Sequence, residues 1–299
     1  MGNNLKDIRR QISSINNVKK TTRAMKLVAN SKLKKAVEMA RKSRIYDNKL
    51  NSMFNDIVRR VLANGNIFEK NDILFIDKER QIKMVDIIFI TSNKGLCGAF
   101  NSNTIRKVVS LMDEYRDIGV KIRLRGVGKK GITYFNFNDI DLYDQTTLLS
   151  SNPTESGASE FIMKAVDDYI NGFTDKVMIV HNGFKNMLTQ EIKITEILPF
   201  KLELPPKLDI AEGDMLVEPE DNEKVILDAL AKQYINYNMF YTLVDSLAAE
   251  LSSRMQAMDV ATKNASDLVS ELIVKHNKAR QASITTELVE INAGVEAMK

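Results

Sequence analysis

Steps of three and four from Leu227 pick out Leu230, Tyr234, Tyr237, Tyr241, Val244, Ala248, Leu251, Met255, Met258, Thr262, Ala265, Val269 and Leu272. All but Thr262 are apolar or aromatic, and a mean step of about 3.5 is the heptad of a coiled coil. The frame runs on through His276 and Ala279 and then fades. Near the start, Leu5, Ile8, Ile12 and Ile15 keep the same rhythm. Val18 then follows after three residues, which reads as a stammer that overwinds the coil. The frame resumes at Thr22, Met25, Ala29, Leu33, Ala36 and Ala40, and again at Leu50, Phe54, Ile57 and Val61.

Between these segments the period changes. Met84–Thr91 is an apolar, β-branched run that predicts a buried strand. Asn101–Arg116 predicts a helix, Val120–Arg125 a strand, and Glu155–Ile170 a helix entered through Ser-Asn-Pro-Thr. Lys176–His181 and Gln190–Ile197 predict two further strands. Strands separated by helices imply a small α/β domain with a mostly parallel sheet.

The breaker residues agree with this division. Of 299 residues, none from Asn3 to Asn64 or from Glu220 to Ala293 is Gly or Pro. As helices these runs would extend for about 93 and 111 Å, against a diameter of about 50 Å for a compact globule of this size. All five Pro lie between 153 and 219, and residues 199–219 read as an extended return segment. The predicted fold is an α/β domain inserted between two long terminal helices that form an antiparallel coiled coil. The boundaries are 1–64, 65–219 and 220–299. Both helices meet the same inserted domain, so they must pair antiparallel. Pairing 62 with about 222 sets Met25 opposite about 259 and leaves a C-terminal overhang beyond about 281, roughly 27 Å if helical.

Charge sharpens the picture. Residues 1–62 carry 16 Lys and Arg against 4 Asp and Glu, whereas the remainder is net negative. A basic arm (Lys19, Lys20, Arg23, Lys26, Lys32, Lys34, Lys35) suits an acidic partner, and a nucleic-acid-binding coiled coil is the alternative reading. Aromatic residues are absent from 1 to 45, which removes the stacking that single strands require. No apolar run is long enough to span a bilayer, and the N-terminus has no apolar leader.

Candidate catalytic chemistry is sparse. Gly126-Val-Gly128-Lys-Lys-Gly131 matches a dinucleotide fingerprint formally, but it follows a later strand and carries two lysines. It is read as a tight turn. Cys97 could take His181 as a base, although a buried thiol at a strand–helix turn is the simpler reading. One Cys and two His do not make a typical zinc site, and His276 falls in the coil seam. Glu287 and Glu290 share a helix face that reads as solvated. Neither a cofactor nor a metal is expected.

Three segments resemble the gamma subunit of F-type ATP synthase. The first runs from Ile8-Arg9-Arg10-Gln11-Ile12 through Thr21-Thr22-Arg23-Ala24-Met25-Lys26 to Leu33. The second is the Gly95-Leu96-Cys97-Gly98 turn with Asn101. The third comprises Arg254-Met255-Gln256-Ala257-Met258, Ala261–Ala265, Arg280-Gln281-Ala282, Ile284-Thr285-Thr286-Glu287, Glu290-Ile291 and Gly294. Four positions depart from the family pattern: Asn93-Lys94 replaces Asp-Arg, Gln11 replaces an Arg, and Val217 replaces an aromatic.

The resemblance implies a non-catalytic rotor shaft of bacterial type. Its coiled coil would turn within a hexamer of alternating alpha and beta subunits, with ATP chemistry in beta. The α/β domain would form the foot, beside an epsilon subunit on the membrane c-ring. Such a chain would lie at the cytoplasmic face of the plasma membrane, attached only through the complex. Met25, Lys26, Arg254, Arg280, Gln281 and Thr285 are the implied hexamer contacts, and Glu218 an implied contact at the rotor foot.

Overall fold

The computed structural model describes residues 2–63, 81–199 and 223–298. The return segment read at 199–219 and the foot contact Glu218 therefore lie almost entirely outside the described residues. The chain divides into two compact units, one of Met1–Ser31 with Arg254–Lys299 and one of Lys32–Ser253. Helix α1 (Gly2–Ala63) and helix α6 (Glu223–Glu296) contribute to both. Their lengths, 62 and 74 residues, follow from the absence of interior breakers.

In the first unit α1 and α6 pack antiparallel. Thr22 and Thr262 hydroxyls are 2.8 Å apart, Lys19 Nζ donates to Ser266 Oγ at 2.9 Å, and Lys26 Nζ reaches Asp259 Oδ1 at 2.6 Å. The register is the expected one, with position 25 facing about 259. Ile8, Thr22, Ala29, Met258, Ala265, Val269 and Leu272 are buried along the seam. The stammer is corrected: Val18 is exposed, and the seam passes from Ile15 to Lys19 to Thr22 without a break in the heptad. Lysine can fill such a position because its stem packs while its ammonium reaches a partner, here Ser266.

The second unit is built on a five-stranded sheet in the order β3-β2-β1-β4-β5. Strands β1 (Met84–Ile90), β2 (Lys121–Val127), β3 (Leu142–Thr146) and β4 (Lys176–Phe184) are parallel, and β5 (Gln190–Leu198) is antiparallel at one edge. Helix α2 (Phe100–Asp117) and helix α3 (Lys129–Phe137) cover one face, where Val85, Ile87 and Phe89 meet Val108, Leu111 and Phe135. The other face carries Ile88, Ile90 and Ile179 against Phe161, Ile162 and Val166 of α5 (Glu155–Ile170) and Ile235, Met239 and Leu243 of α6. A short α4 (Leu148–Ser151) precedes α5. Burial on both faces explains why β1 reads as a continuous apolar run. Helix α5 begins as expected, with Thr154 capping the Gly157 N–H.

Three elements were not foreseen from sequence: α3, β3 and α4. The stretch read as a tight turn is instead the end of β2, a left-handed Gly128 and the first turn of α3. Between Asn238 and Ser253, α6 is buried nearly all round rather than along one seam, because the same stretch packs against the sheet.

Candidate functional site

In open parallel sheets, ligands bind outside the carboxyl ends of the strands where the connection direction reverses. Here that point lies between β1 and β4, and protein fills it. Cys97, Phe100 and Ala249 form a buried cluster with Phe184. Ser253 Oγ donates to the Cys97 carbonyl at 2.6 Å, and Ser150 Oγ donates to the Thr91 carbonyl at 2.6 Å. Asn93 bonds the Thr147 carbonyl, Ser151 and the Lys129 N–H, tying the Gly95–Gly98 turn to α4 and to the start of α3. This is what the unusual Asn93 does.

The glycines of the apparent fingerprint are needed for packing. A Cβ on Gly126 would lie 2.7 Å from the Phe89 ring, and one on Gly131 2.5 Å from the same ring. They permit close approach of sheet and helix, with no phosphate required.

Cys97 is buried, and its sulfur accepts from Asn101 Nδ2 at 3.2 Å. His181 Nε2 bonds Asp245 at 3.2 Å, while its Nδ1 has no hydrogen-bond partner, so neither ring nitrogen serves Cys97. No nucleophile–base pair is assembled there. Burial lowers the His181 pKa below its ordinary 6.5, and the pull of Asp245 does not reverse this. Burial alone would raise Asp245, but hydrogen bonds from His181 and Lys193 outweigh it and hold the carboxyl below its usual range.

A pH dependence follows. The folded state keeps His181 neutral where the unfolded chain takes up a proton. Its contribution is therefore complete above 6.5 and is lost as pH falls below that value toward the folded pKa. The Asp245 contribution is lost only at more acid pH, as pH falls below about 3.8 toward its lowered folded value. The charged groups facing the ring are Asp245 and Lys193. Urea unfolding of H181Q should lose less stability than wild type between about pH 7.5 and pH 5.5. Equal losses would show that His181 does not set the slope.

The residues singled out for partner contact fall in different surroundings. Met25 and Lys26 are half-buried on α1, and Lys26 is already paired with Asp259. Arg254 is half-buried. Arg280, Gln281 and Thr285 are exposed, and the Thr285 hydroxyl bonds the Gln281 carbonyl one turn back. Arg280 lines a groove with Leu5, Lys6, Arg9, Arg10, Ser13 and His276, whose lining contains no carboxylate. His276 Nε2 is buried there without a hydrogen-bond partner.

Sequence reasoning missed one surface. Ile284, Leu288, Ile291, Val295 and Met298 recur in steps of three and four and are between 49% and 84% exposed. An apolar stripe of that regularity calls for a cover. Its signal was the heptad spacing after Ala279, set one residue off the seam.

Paired helices, an α/β sheet whose crevice at the β1–β4 switch point is filled by protein, and an uncovered apolar helix end define a class: a chain built to work by contact. The family description ATP synthase matches residues 4–298. The chain is 53% identical over 299 residues to the ATP synthase gamma chain of Wolinella succinogenes, covering all of both chains. It is 53% identical over 300 residues to that of Helicobacter pylori strain G27, covering 99% of each. Two solved structures share the fold. The central stalk of the Tetrahymena thermophila mitochondrial ATP synthase matches with a TM-score of 0.57 and 24% identity, over 81% of this chain and 99% of that one. A Euglena gracilis mitochondrial ATP synthase chain matches with a TM-score of 0.67 and 16% identity, over 100% of this chain and 95% of that one.

The chain belongs to the ATP synthase gamma family, in its bacterial form. It is a non-catalytic, central-stalk rotor shaft of an F-type ATP synthase, coupled to the catalytic hexamer. The nucleic-acid reading of the basic arm gives way to this one. Among the described residues no helix is long and apolar enough to cross a membrane.

Proposed function

We propose that the α1–α6 pair turns inside a hexamer of three alpha and three beta subunits, while the inserted domain stands on the c-ring beside an epsilon subunit. Residues 1–64 and 220–299 form the shaft and residues 65–219 the foot. The complex holds the chain at the cytoplasmic face of the plasma membrane. Arg254, Arg280, Gln281 and Thr285 face the hexamer, together with Met25 and Lys26. Glu218 belongs to the foot.

The observation that carries this reading is the uncovered stripe of Ile284, Leu288, Ile291 and Val295 beside the cationic groove of Lys6, Arg9, Arg10 and Arg280. An apolar sleeve with acidic loops below it complements both features. Apolar contact tolerates rotation because it has no preferred direction. Cation–carboxylate contact adds attraction that salt weakens.

The test is a triple variant, I284D/L288D/I291D, in the assembled complex. Each charge placed against an apolar sleeve costs several kcal/mol unless water follows it. Assembly should persist, because the seam from Ile8 to Leu272 is untouched, while ATP hydrolysis by the complex slows. Deleting residues 282–299 should act similarly. Loss of assembly in either variant would show that the end of α6 holds the complex together. Unchanged turnover in both would remove the stripe from the bearing.

A further inference from the structure

Where α6 crosses the sheet, apolar packing is interrupted by a polar row. Asp245, Ser252 and Ser253 lie on one face of the helix by their spacing, and each is less than a tenth exposed. Asp245 Oδ2 accepts from Lys193 Nζ at 2.9 Å and from His181 Nε2 at 3.2 Å, and Oδ1 accepts from the Phe184 N–H at 3.2 Å. Ser252 Oγ donates to the Met187 carbonyl at 2.9 Å and accepts from Gln190 Nε2 at 3.2 Å. Ser253 Oγ holds the Cys97 carbonyl. The strand comes this close because residue 183 is glycine: a Cβ there would lie 2.7 Å from Asp245 Oδ2.

These contacts are a poor way to gain stability. Burying a carboxylate, an imidazole and part of an ammonium has a desolvation penalty, and apolar residues of similar size hold such sites as firmly. Charge-assisted hydrogen bonds add direction instead. Met239, Leu243 and Ala249 pack α6 on the sheet, but apolar burial is non-directional and does not by itself name one register. One carboxylate bonded to two strands at three donors permits one setting of the helix.

We propose that Asp245, through His181, Lys193 and the Phe184 amide, is a positioning residue that locks the rotational register of α6 on the β4–β5 hairpin, so that torque applied to the sheet passes into the helix without slip. This rests on the rotor function of the family. It assigns the transfer of torque from sheet to helix to a hydrogen-bonded anchor rather than to general packing.

The test compares variants of the whole complex in membrane vesicles, reading ATP-driven ion pumping per ATP hydrolysed. H181L/D245L/K193M replaces the anchor by apolar side chains. It should assemble, hydrolyse ATP and unfold at close to the wild-type temperature, yet lose pumping per ATP. D245A leaves His181 and Lys193 facing an empty site and should lose both stability and pumping. K193M, which removes one partially exposed arm, should lose part of the pumping ratio, and K193R should restore it. A wild-type ratio in K193M, whether or not the triple variant assembles, overturns the proposal. So does a triple variant that pumps normally.

Discussion

D86A is expected to destabilise the sheet unit by about 3–5 kcal/mol, the usual result of removing one partner from a buried ion pair. Asp86 is completely buried in β1. It accepts from Arg123 Nε at 2.7 Å, from Arg123 Nη2 at 2.9 Å and from Arg125 Nε at 2.8 Å. Both guanidinium groups also pair with Asp168 of α5 and lie over the Tyr143 ring, 4.2 and 4.7 Å from its centre. Arg125 is 1% exposed, so alanine at 86 leaves its charge buried with one of its three carboxylate partners gone. A loss of that size removes a large part of the 5–15 kcal/mol that holds a typical domain together. Urea unfolding of the purified chain measures it. D113A, which removes an exposed partner of Arg116, serves as the control and should change stability by less than about 1 kcal/mol.

G128A is the second large effect, and it also separates two readings of the glycine-rich stretch. Gly128 has φ +98°, and a Cβ there would lie 1.9 Å from the Thr91 carbonyl oxygen and 2.6 Å from its carbon. Backbone faces backbone, so no side-chain rotation relieves the clash. The left-handed conformation adds strain of about 1–3 kcal/mol. The variant should therefore lose at least about 3 kcal/mol or fail to fold, by thermal unfolding. Excess ATP should leave the unfolding temperature of the isolated wild-type chain unchanged. A saturable rise with ATP would restore the phosphate-binding reading of Gly126–Gly131.

Much of this architecture was legible because its physics is local. The ends of α5 follow from Thr154 and the apolar spacing after it. The register of α1 against α6 follows from chain connectivity alone, and the Lys26–Asp259 and Thr22–Thr262 pairs realise it. The misses share a cause: long-range packing decided them. Helix α3 contains Gly131 and a run of aromatic and β-branched residues, so its helicity comes from packing Ile132 and Phe135 on the sheet. Strand β3 is a half-exposed edge of five residues and has little apolar signal. Lys19 occupies a seam position that a hydropathy count assigns to Val18. Asp86 and Asp245 were visible as acids within apolar stretches, but their partners come from distant strands and helices.

The residues proposed for hexamer contact rest on resemblance alone. Arg280 and Gln281 are exposed, whereas Lys26 is already engaged with Asp259. The apolar stripe from Ile284 to Val295 needed the structure, because exposure separates a second stripe from a continued seam.

The central claim is that this chain is the shaft on which a catalytic hexamer turns. Co-expression with the alpha and beta subunits of the same organism tests it most directly. The account predicts that the three purify as one complex, and that the complex hydrolyses ATP while the isolated chain does not. A chain that fails to co-purify with alpha and beta, or that hydrolyses ATP alone, would contradict it.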